Sequence, residues 1–161
     1  MFAVLWVTQQ KPHVDRCASA WLIKRFIDKN AAFKFLTRER EVPEGAIGFT
    51  LPKAEISPVE GVKTTSDSLV EKHHVKDVVV LRTKGIVRDY EFNEENSERT
   101  RLRKLGVCYI LKGLEKTSRT NAATVSKTIV VMDALYAALK ELGKQIELIR
   151  TFILINPSRP E

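Results

Sequence analysis

The chain has 161 residues, 43% of them hydrophobic, and a formal net charge of +7. This length and apolar content favour one globular domain with an adequate core. Two cysteines, Cys17 and Cys108, are too few for a disulfide framework and match no zinc pattern, so we expect a reduced, cytoplasmic protein. The positive charge suits an anionic partner, whether nucleic acid, an acidic membrane surface or a small oxyanion.

Three short strands and one helix are predicted in the first third of the chain. The strands run from Phe2 to Thr8, from Ala32 to Leu36 and from Ala46 to Leu51, where β-branched, aromatic or alternating apolar residues occur. Between the first two, Val14 to Ile27 repeats apolar residues at helical spacing. Asp15 suits the positive end of the dipole of that helix.

The later elements are predicted to be mainly helical. Ser66 or Asp67 can cap a helix that reaches His73 or His74, and Glu98 to Glu115 keeps helical spacing. A last long helix is predicted from Ala122 to Leu142, ended by Gly143.

Two further segments leave alternatives open. Val78 to Leu81 has the propensity of a strand. Ile146 to Ile155 is apolar enough for a closing strand or a short helix.

These elements indicate one domain of the α+β class, mostly helical with a small β-sheet. We predict that this domain covers residues 1–155 and that residues 156–161 form a disordered tail. The N-terminus lacks the basic region of a signal peptide, and no apolar run approaches the length of a membrane span. We therefore expect no association with a membrane.

The helix from Val14 to Ile27 carries charged residues among its apolar ones. On a helical wheel, Arg25 falls beside Trp21 within the apolar arc. Because a helix that is apolar on most sides is mostly buried, Asp15, Arg16 and Arg25 are expected to need partners rather than water. Structural ion pairs are the commoner explanation. The alternative is an oxyanion site, since guanidinium groups match oxyanions in shape and charge.

This helix also carries a family resemblance. The segment WVTQQKPHVDRCASAWLIKRFID, Trp6 to Asp28, resembles the opening motif of the chromate-resistance family typified by the C-terminal domain of the regulator ChrB. That motif runs W-V-T-R-x-x-P-x-[IV]-D-R-x-A-C-x-W-L-I-x-R-F-I-D. Ile86 to Arg88 (IVR) and Val130 to Leu139 (VVMDALYAAL) resemble later family motifs in the same order. The resemblance implies a helix at Val78 to Leu81, and we adopt that prediction.

The chain departs from the family pattern where metal or redox chemistry would be carried. Relatives often have a His and a Cys in the middle loop, at the positions of Pro58 and Thr64 here, and the cysteine of the opening motif aligns with Ser19. Cys17 instead follows Arg16 in the first turn of the helix, where the dipole and a cation can lower a thiol pKa. We expect no metal and no cofactor. A third hypothesis, ranked below the two that follow, is an enzyme that uses Cys17 as a redox thiol.

The leading hypothesis is a cytosolic chromate-resistance-like module that binds a small anionic ligand in a regulatory or stress-response role. The resemblance implies chromate or another oxyanion, whereas the residues indicate only a partly buried arginine cluster. In this hypothesis three arginines line the pocket, two aspartates orient them and a tryptophan packs one wall. The expected ligand-binding residues are Asp15, Arg16, Trp21, Arg25, Arg88 and Asp133.

The alternative hypothesis is a basic nucleic-acid-binding protein. The helix from Glu98 to Lys116 contains Arg99, Arg103 and Lys112, which can share one face and meet phosphates. A solvated helix face is the commoner explanation for such a cluster. No helix-turn-helix, zinc-finger or RNP motif is recognisable to favour nucleic acid.

Overall fold

The computed structural model describes residues 4–92 and 98–155, and for residues 98–104, 153 and 154 it describes the backbone alone. One turn of π-helix, Ile23–Ile27, continues the first α-helix. The elements in chain order are β1 (Leu5–Gln9), α1 (Val14–Leu22), β2 (Ala32–Leu36), β3 (Ile47–Gly48), α2 (Thr65–Lys72), α3 (Val78–Glu91), α4 (Glu98–Thr117) and α5 (Asn121–Ile155). The predicted fold class, a mostly helical α+β domain with a small sheet, is confirmed.

The sheet is parallel, with β1 in the centre and the order β2-β1-β3. Successive side chains of a strand point to opposite faces. Trp6 accordingly packs into the main core with the helices, whereas Val7 packs on the other face with Leu36 and Leu51. Both faces of the central strand are therefore covered.

The order of the strands creates a crevice at one end of the sheet. The chain leaves β1 towards β2 on one side, and β3 then lies on the other side of β1. In parallel sheets, ligands bind outside the carboxyl ends of the strands at such a switch point. Here that edge is formed by Gln9 at the end of β1 and by Thr50 and Leu51 after β3.

Helix α1 is the centre of the domain, as its apolar pattern predicted. Eight of its residues are buried, and it contacts α2, α3, α4 and α5. The π turn that follows it is closed by a hydrogen bond from Asp28 N to Ile23 O. A π turn advances fewer degrees per residue than an α-helix, so an α-helical wheel misplaces the residues beyond Leu22.

Beyond the sheet, two helices begin at well-defined caps. Thr64 and Asp67 form a capping box at the start of α2. The N-cap of α2 is therefore Thr64, two residues before Ser66, which the sequence suggested as a cap. Asp77 accepts hydrogen bonds from Val79 N and Val80 N at the start of α3. The helix that the family resemblance implied is thus found, and the strand propensity of the valines does not decide the structure.

The prediction that Gly143 ends the last helix is wrong. Helix α5 continues through this glycine to Ile155, so the predicted strand or separate helix after Ile146 is part of α5. One glycine costs a helix only about 1 kcal/mol relative to alanine, which a long helix tolerates. Over Asn121–Phe152, α5 is long and apolar enough to cross a membrane by length and composition. The expectation that no apolar segment is long enough to span a membrane is therefore wrong.

Only part of α5 packs against the rest of the domain. Val125 and Met132 belong to the main core. Farther along, Ile149 and Phe152 are largely exposed.

Candidate functional site

An open cleft of about 950 Å³ lies at the carboxyl edge of the sheet. Gln9, at the end of β1, and Thr50, after β3, form its floor. The start of α1, the end of α3 and the loop between β3 and α2 also contribute to its lining. The cleft therefore occupies the switch point that the topology creates.

Arg16 is held in this cleft by two hydrogen bonds. Its Nη2 donates to Gln9 Oε1 at 2.8 Å and its Nη1 to the Lys11 carbonyl at 3.5 Å. Its Nε is buried and has no hydrogen-bond partner among the described residues. Burial lowers the pKa of Arg16, while the charge of Asp15 raises it. A fixed guanidinium with unused donor capacity is suited to an oxyanion.

His13 and Glu91 lie together on the same side of the cleft. His13 Nδ1 is 3.9 Å from Glu91 Oε1, and the Glu91 carboxylate also interacts with the backbone N–H of Asp15. Burial and then the charge of Asp15 raise the pKa of Glu91, and the Asp15 N–H and Arg16 oppose that shift. Burial, followed by the charge of Arg16, lowers the pKa of His13. Glu91 is thus an anion already placed at the N-terminus of α1, beside Arg16.

Further cations surround the cleft. Lys63 forms a salt bridge with Glu71, at 2.5 Å. Arg38 and Lys53 have no ion-pair partner within the described part of the chain. Because exposed cations add long-range attraction more than fixed geometry, Arg38 and Lys53 would attract an anion that Arg16 then holds.

The backbone around the cleft is strained at three positions. Lys11, Thr50 and Lys53 have φ angles of 55°, 52° and 63°. Positive φ is uncommon for residues other than glycine and is a true outlier for a β-branched residue such as Thr50. Such strain concentrates at ligand sites. Thr50 and Lys53 line the cleft after β3, and Lys11, which follows β1, accepts a hydrogen bond from Arg16 through its carbonyl.

Asp15 also contributes to the cleft wall, but its carboxylate is used structurally. It is 3% exposed and accepts hydrogen bonds from Thr65 N at 2.9 Å and from Ser66 N at 3.3 Å and Ser66 Oγ at 3.0 Å. These N–H groups begin α2, where a negative charge is favoured by the helix dipole. Asp15 therefore joins α1 to α2.

Arg25, Trp21 and Asp133 form a second group between the α1 region and α5. Arg25 Nη2 donates to Asp133 Oδ2 at 2.6 Å, and Trp21 Nε1 donates to Asp133 Oδ1 at 3.0 Å. Burial raises the pKa of Asp133, but the hydrogen bonds from Arg25 and Trp21 outweigh it and the pKa is lowered. The Arg25 side chain is 46% exposed, so the expectation that this arginine is buried is wrong.

Arg88 belongs to a third group, between α2 and α3. Its Nη1 lies 3.9 Å from Asp67 Oδ2, and its guanidinium is 5.5 Å from the centre of the Phe92 ring. Lys84 donates a short hydrogen bond to the same Asp67. Burial raises the pKa of Asp67, but the hydrogen bonds from Lys84 and Thr64 prevail and lower it.

The six predicted ligand-binding residues therefore do not converge on one cavity. Only Asp15 and Arg16 line the cleft at the sheet edge. Trp21, expected as a pocket wall, is a core residue that is 2% exposed. The wheel identified a buried helix correctly, but it carries no information on which element covers each face.

Other residues of the cleft were missed by the sequence reasoning. They are His13, Arg38, Lys53 and Glu91. His13, Arg38 and Lys53 follow the ends of predicted strands, and that position was the available signal. Glu91 had no comparable signal.

The residues of the nucleic-acid alternative are only partly described. The side chains of Arg99 and Arg103 lie outside the described residues, and helix α4 itself is found. The Lys112 ammonium lies 5.9 Å from the ring centres of both Tyr90 and Tyr109. The nucleic-acid alternative stays a prediction.

Cys17 is badly placed for redox chemistry. The residue is fully buried, and its Sγ donates to the Pro12 carbonyl at 3.1 Å. Burial raises the pKa of its thiol to about 11. Because the thiolate is the reactive form, this environment opposes the role considered for Cys17. Among the described residues, no three His, Cys, Asp or Glu side chains form a group that could hold a metal ion.

Three of the departures from the family pattern fall in the same cleft. Gln9 stands where the opening motif has Arg, and Pro58 and Thr64 stand where relatives often have His and Cys. All three line the cleft beside Arg16. The chain thus keeps one arginine of the motif there and has neutral residues at the three other positions.

Comparisons with known proteins agree with the sequence motifs. The family described as "ChrB, C-terminal domain" matches residues 6–139. A protein named "Protein ChrB" from Cupriavidus metallidurans is 44% identical over 54 residues, which are 34% of this chain and only 17% of that protein. No solved structure matches the chain. A family match over residues 6–139 covers most of the 161 residues, and the chain belongs to the ChrB C-terminal domain family.

Proposed function

We propose that this protein is a cytosolic anion-binding module of the chromate-resistance type, with its site in the cleft beside Arg16. The observation that carries the proposal is the state of that guanidinium. It is fixed by Gln9 and the Lys11 carbonyl in the wall of an open cleft, and its Nε has no partner in the described part of the chain. Nη1 and Nη2 each carry a second N–H, and a guanidinium fixed in this way loses little side-chain freedom when it binds an oxyanion.

The surroundings of Arg16 support the same proposal. The cleft lies at the N-terminus of α1, where backbone N–H groups and the helix dipole favour negative charge. His13, at the N-cap position, makes no side-chain capping bond. Arg38 and Lys53 add positive charge at the rim of the cleft. The net charge of +7 favours the approach of any anion.

Chromate is the proposed ligand class because of the family. A relative carries the name ChrB, and the family motif supplied the association with chromate resistance. Since the alignment spans 17% of that relative, a regulatory role is proposed for this chain and is not carried over from the whole protein. Chromate and sulfate are tetrahedral dianions of similar shape, so sulfate serves as the non-oxidising probe.

Calorimetric titration with chromate and sulfate tests the proposal. We expect Arg16→Gln to weaken binding about tenfold or more, because charge-assisted hydrogen bonds contribute about 1.5–3 kcal/mol. Arg25→Gln is the matched control, since Arg25 lies on the same helical segment but outside the cleft. Loss of binding in the Arg25 variant alone would place the site between the α1 region and α5 and overturn the proposal.

A further inference from the structure

The cleft beside Arg16 is much larger than a free oxyanion. Its volume is about 950 Å³. A tetrahedral oxyanion has four oxygen atoms and would fill on the order of 100 Å³, if each oxygen takes about the 30 Å³ of a water molecule. Pockets of roughly 300–1,000 Å³ are typical of organic ligands. An inorganic anion bound to Arg16 would therefore leave most of the cleft to water.

The walls of the cleft differ in chemistry. Arg16, His13 and Glu91 provide charged and polar groups on the side of α1 and α3. The loop after β3 provides the apolar side chains of Pro58 and Val59, with polar neighbours at Ser57 and Glu60.

Leu51, Pro52 and Phe92 add further apolar groups to this lining. Val59 is 50% exposed, although it is a large apolar side chain. An exposed apolar side chain in a concave site is one that an apolar ligand group can cover.

We infer that the cleft takes an organic anion, whose anionic head binds Arg16 and whose apolar body packs on the loop at Pro58 and Val59. The inference rests on the proposed anion site and narrows its ligand class. Small-molecule sites combine a few polar groups that orient the ligand with an apolar lining that packs against it. The proposed anion site supplies the polar group, and the inference adds the apolar lining. Free inorganic anions are then weak ligands that occupy only the head position.

The neutral lining beside Arg16 fits this ligand class. Gln9 and Thr64 replace the Arg and Cys of the family pattern, so one guanidinium remains as the fixed anchor at this end of the cleft. One bidentate anchor suits a single phosphate, sulfate or carboxylate group carried by a larger molecule. Arg38 and Lys53 lie in the loops after β2 and β3, where they add electrostatic attraction for an anion.

A pair of probes with the same head separates the two ligand classes. Inorganic phosphate and phenyl phosphate are titrated by calorimetry against the full chain at pH 7.5. We expect phenyl phosphate to bind at least about tenfold more tightly, since filling an apolar site with even one methylene group changes affinity by about tenfold or more. Arg16→Gln should weaken both probes.

Two exposed valines provide a matched pair of variants. Val59→Ser alters a residue of the cleft, and Val62→Ser alters a valine of similar exposure, 54%, that does not line it. Val59→Ser should lower the affinity for phenyl phosphate several-fold and leave that for inorganic phosphate unchanged. Val62→Ser should change neither.

Three other results are possible, and each would overturn one or both proposals. Equal affinity for both probes, with both lost in Arg16→Gln, leaves the proposed anion site standing and overturns the organic ligand. Tight binding of phenyl phosphate that survives Arg16→Gln removes the arginine anchor and with it the proposed function. If neither probe nor chromate binds the wild-type chain, both proposals are wrong.

Discussion

Asp133 accepts a hydrogen bond from the indole N–H of Trp21 at 3.0 Å, and this bond ties α5 to α1. The indole is 2% exposed, whereas Arg25, which shares the same carboxylate, is 46% exposed in its side chain. One carboxylate therefore serves a buried donor and a solvated one. The two partners should differ in how much they stabilise the domain.

Asp133→Ala should lower the free energy of unfolding by roughly 1–3 kcal/mol, because a buried N–H loses its acceptor. Arg25→Ala should cost only about 0.2–1 kcal/mol, as is usual for a solvated salt bridge. Urea denaturation of the two variants and the wild type measures both values. Equal losses would show that Arg25, not Trp21, is the important partner.

The contacts of Asp133 with Trp21 and Arg25 also show which features of the fold could be predicted from the sequence and which could not. The apolar spacing of α1 predicts a buried helix, and the β-rich segments predict three strands, one of them with the bounds that are found, Ala32–Leu36. Both patterns are local. The family motifs suggested Asp133 as a residue that orients an arginine, and its pairing with Arg25 is found. The pairing of Arg88 with Asp67 and the exposure of Arg25 depend on which helices pack beside them, and no local pattern encodes that packing.

The cleft could be predicted only through the topology. Arg16 was found because it lies in a buried, charged segment. Its separation from Arg25 follows from the length of the helix, since nine residues at 1.5 Å each place them about 13 Å apart along the axis. Glu91 reaches the cleft from the end of α3, which is distant in sequence from β1. Its role depends on long-range packing.

Asp15 is predicted to be essential for stability as well as for the shape of the cleft. Asp15→Asn should reduce the free energy of unfolding by roughly 2–3 kcal/mol, since the amide loses the charge that its buried hydrogen bonds stabilise. Thermal and urea denaturation measure the change, with Glu39→Gln at an exposed position as the control. A stability within error of the wild type would mean that α2 does not depend on this contact.

Cys17 should be inert in the native protein. Its thiol is fully buried and its pKa is raised to about 11, so very little thiolate exists at neutral pH. In a Cys108→Ala variant, labelling of the remaining thiol with Ellman's reagent at pH 7.5 should be slow in buffer and complete in denaturant. Rapid labelling of the folded protein would revive the redox hypothesis.

Anion affinity should rise as pH falls. In the folded protein the pKa of Glu91 is raised above 4.5, first by burial, and the pKa of His13 is lowered below 6.5, again first by burial. A bound anion favours the protonated form of both groups, because it repels the Glu91 carboxylate and attracts a charged imidazole. Binding therefore takes up protons, and sulfate affinity should increase as the pH falls from neutral towards the pKa of His13, which is lowered below 6.5, and the pKa of Glu91, which is raised above 4.5.

The charges that face Glu91 come from three places. Arg16 and Asp15 on α1, His13 before it and Lys112 on α4 all act on the carboxylate. Arg16 and Lys112 stay charged throughout this pH range. The change in affinity should therefore come from Glu91 and His13.

Replacing Glu91 separates its charge from its structural role. Glu91→Gln should raise sulfate affinity roughly three- to tenfold at pH 7.5, since removing one nearby like charge is worth about 1 kcal/mol in a solvated site. It should also reduce the gain in affinity on acidification, because His13 is then the group left to take up a proton. Glu60→Gln, another acid of the cleft lining, is the control and should have a smaller effect. Weaker binding by Glu91→Gln, together with a lower melting temperature, would show that Glu91 serves α1 as a cap and does not compete with the ligand.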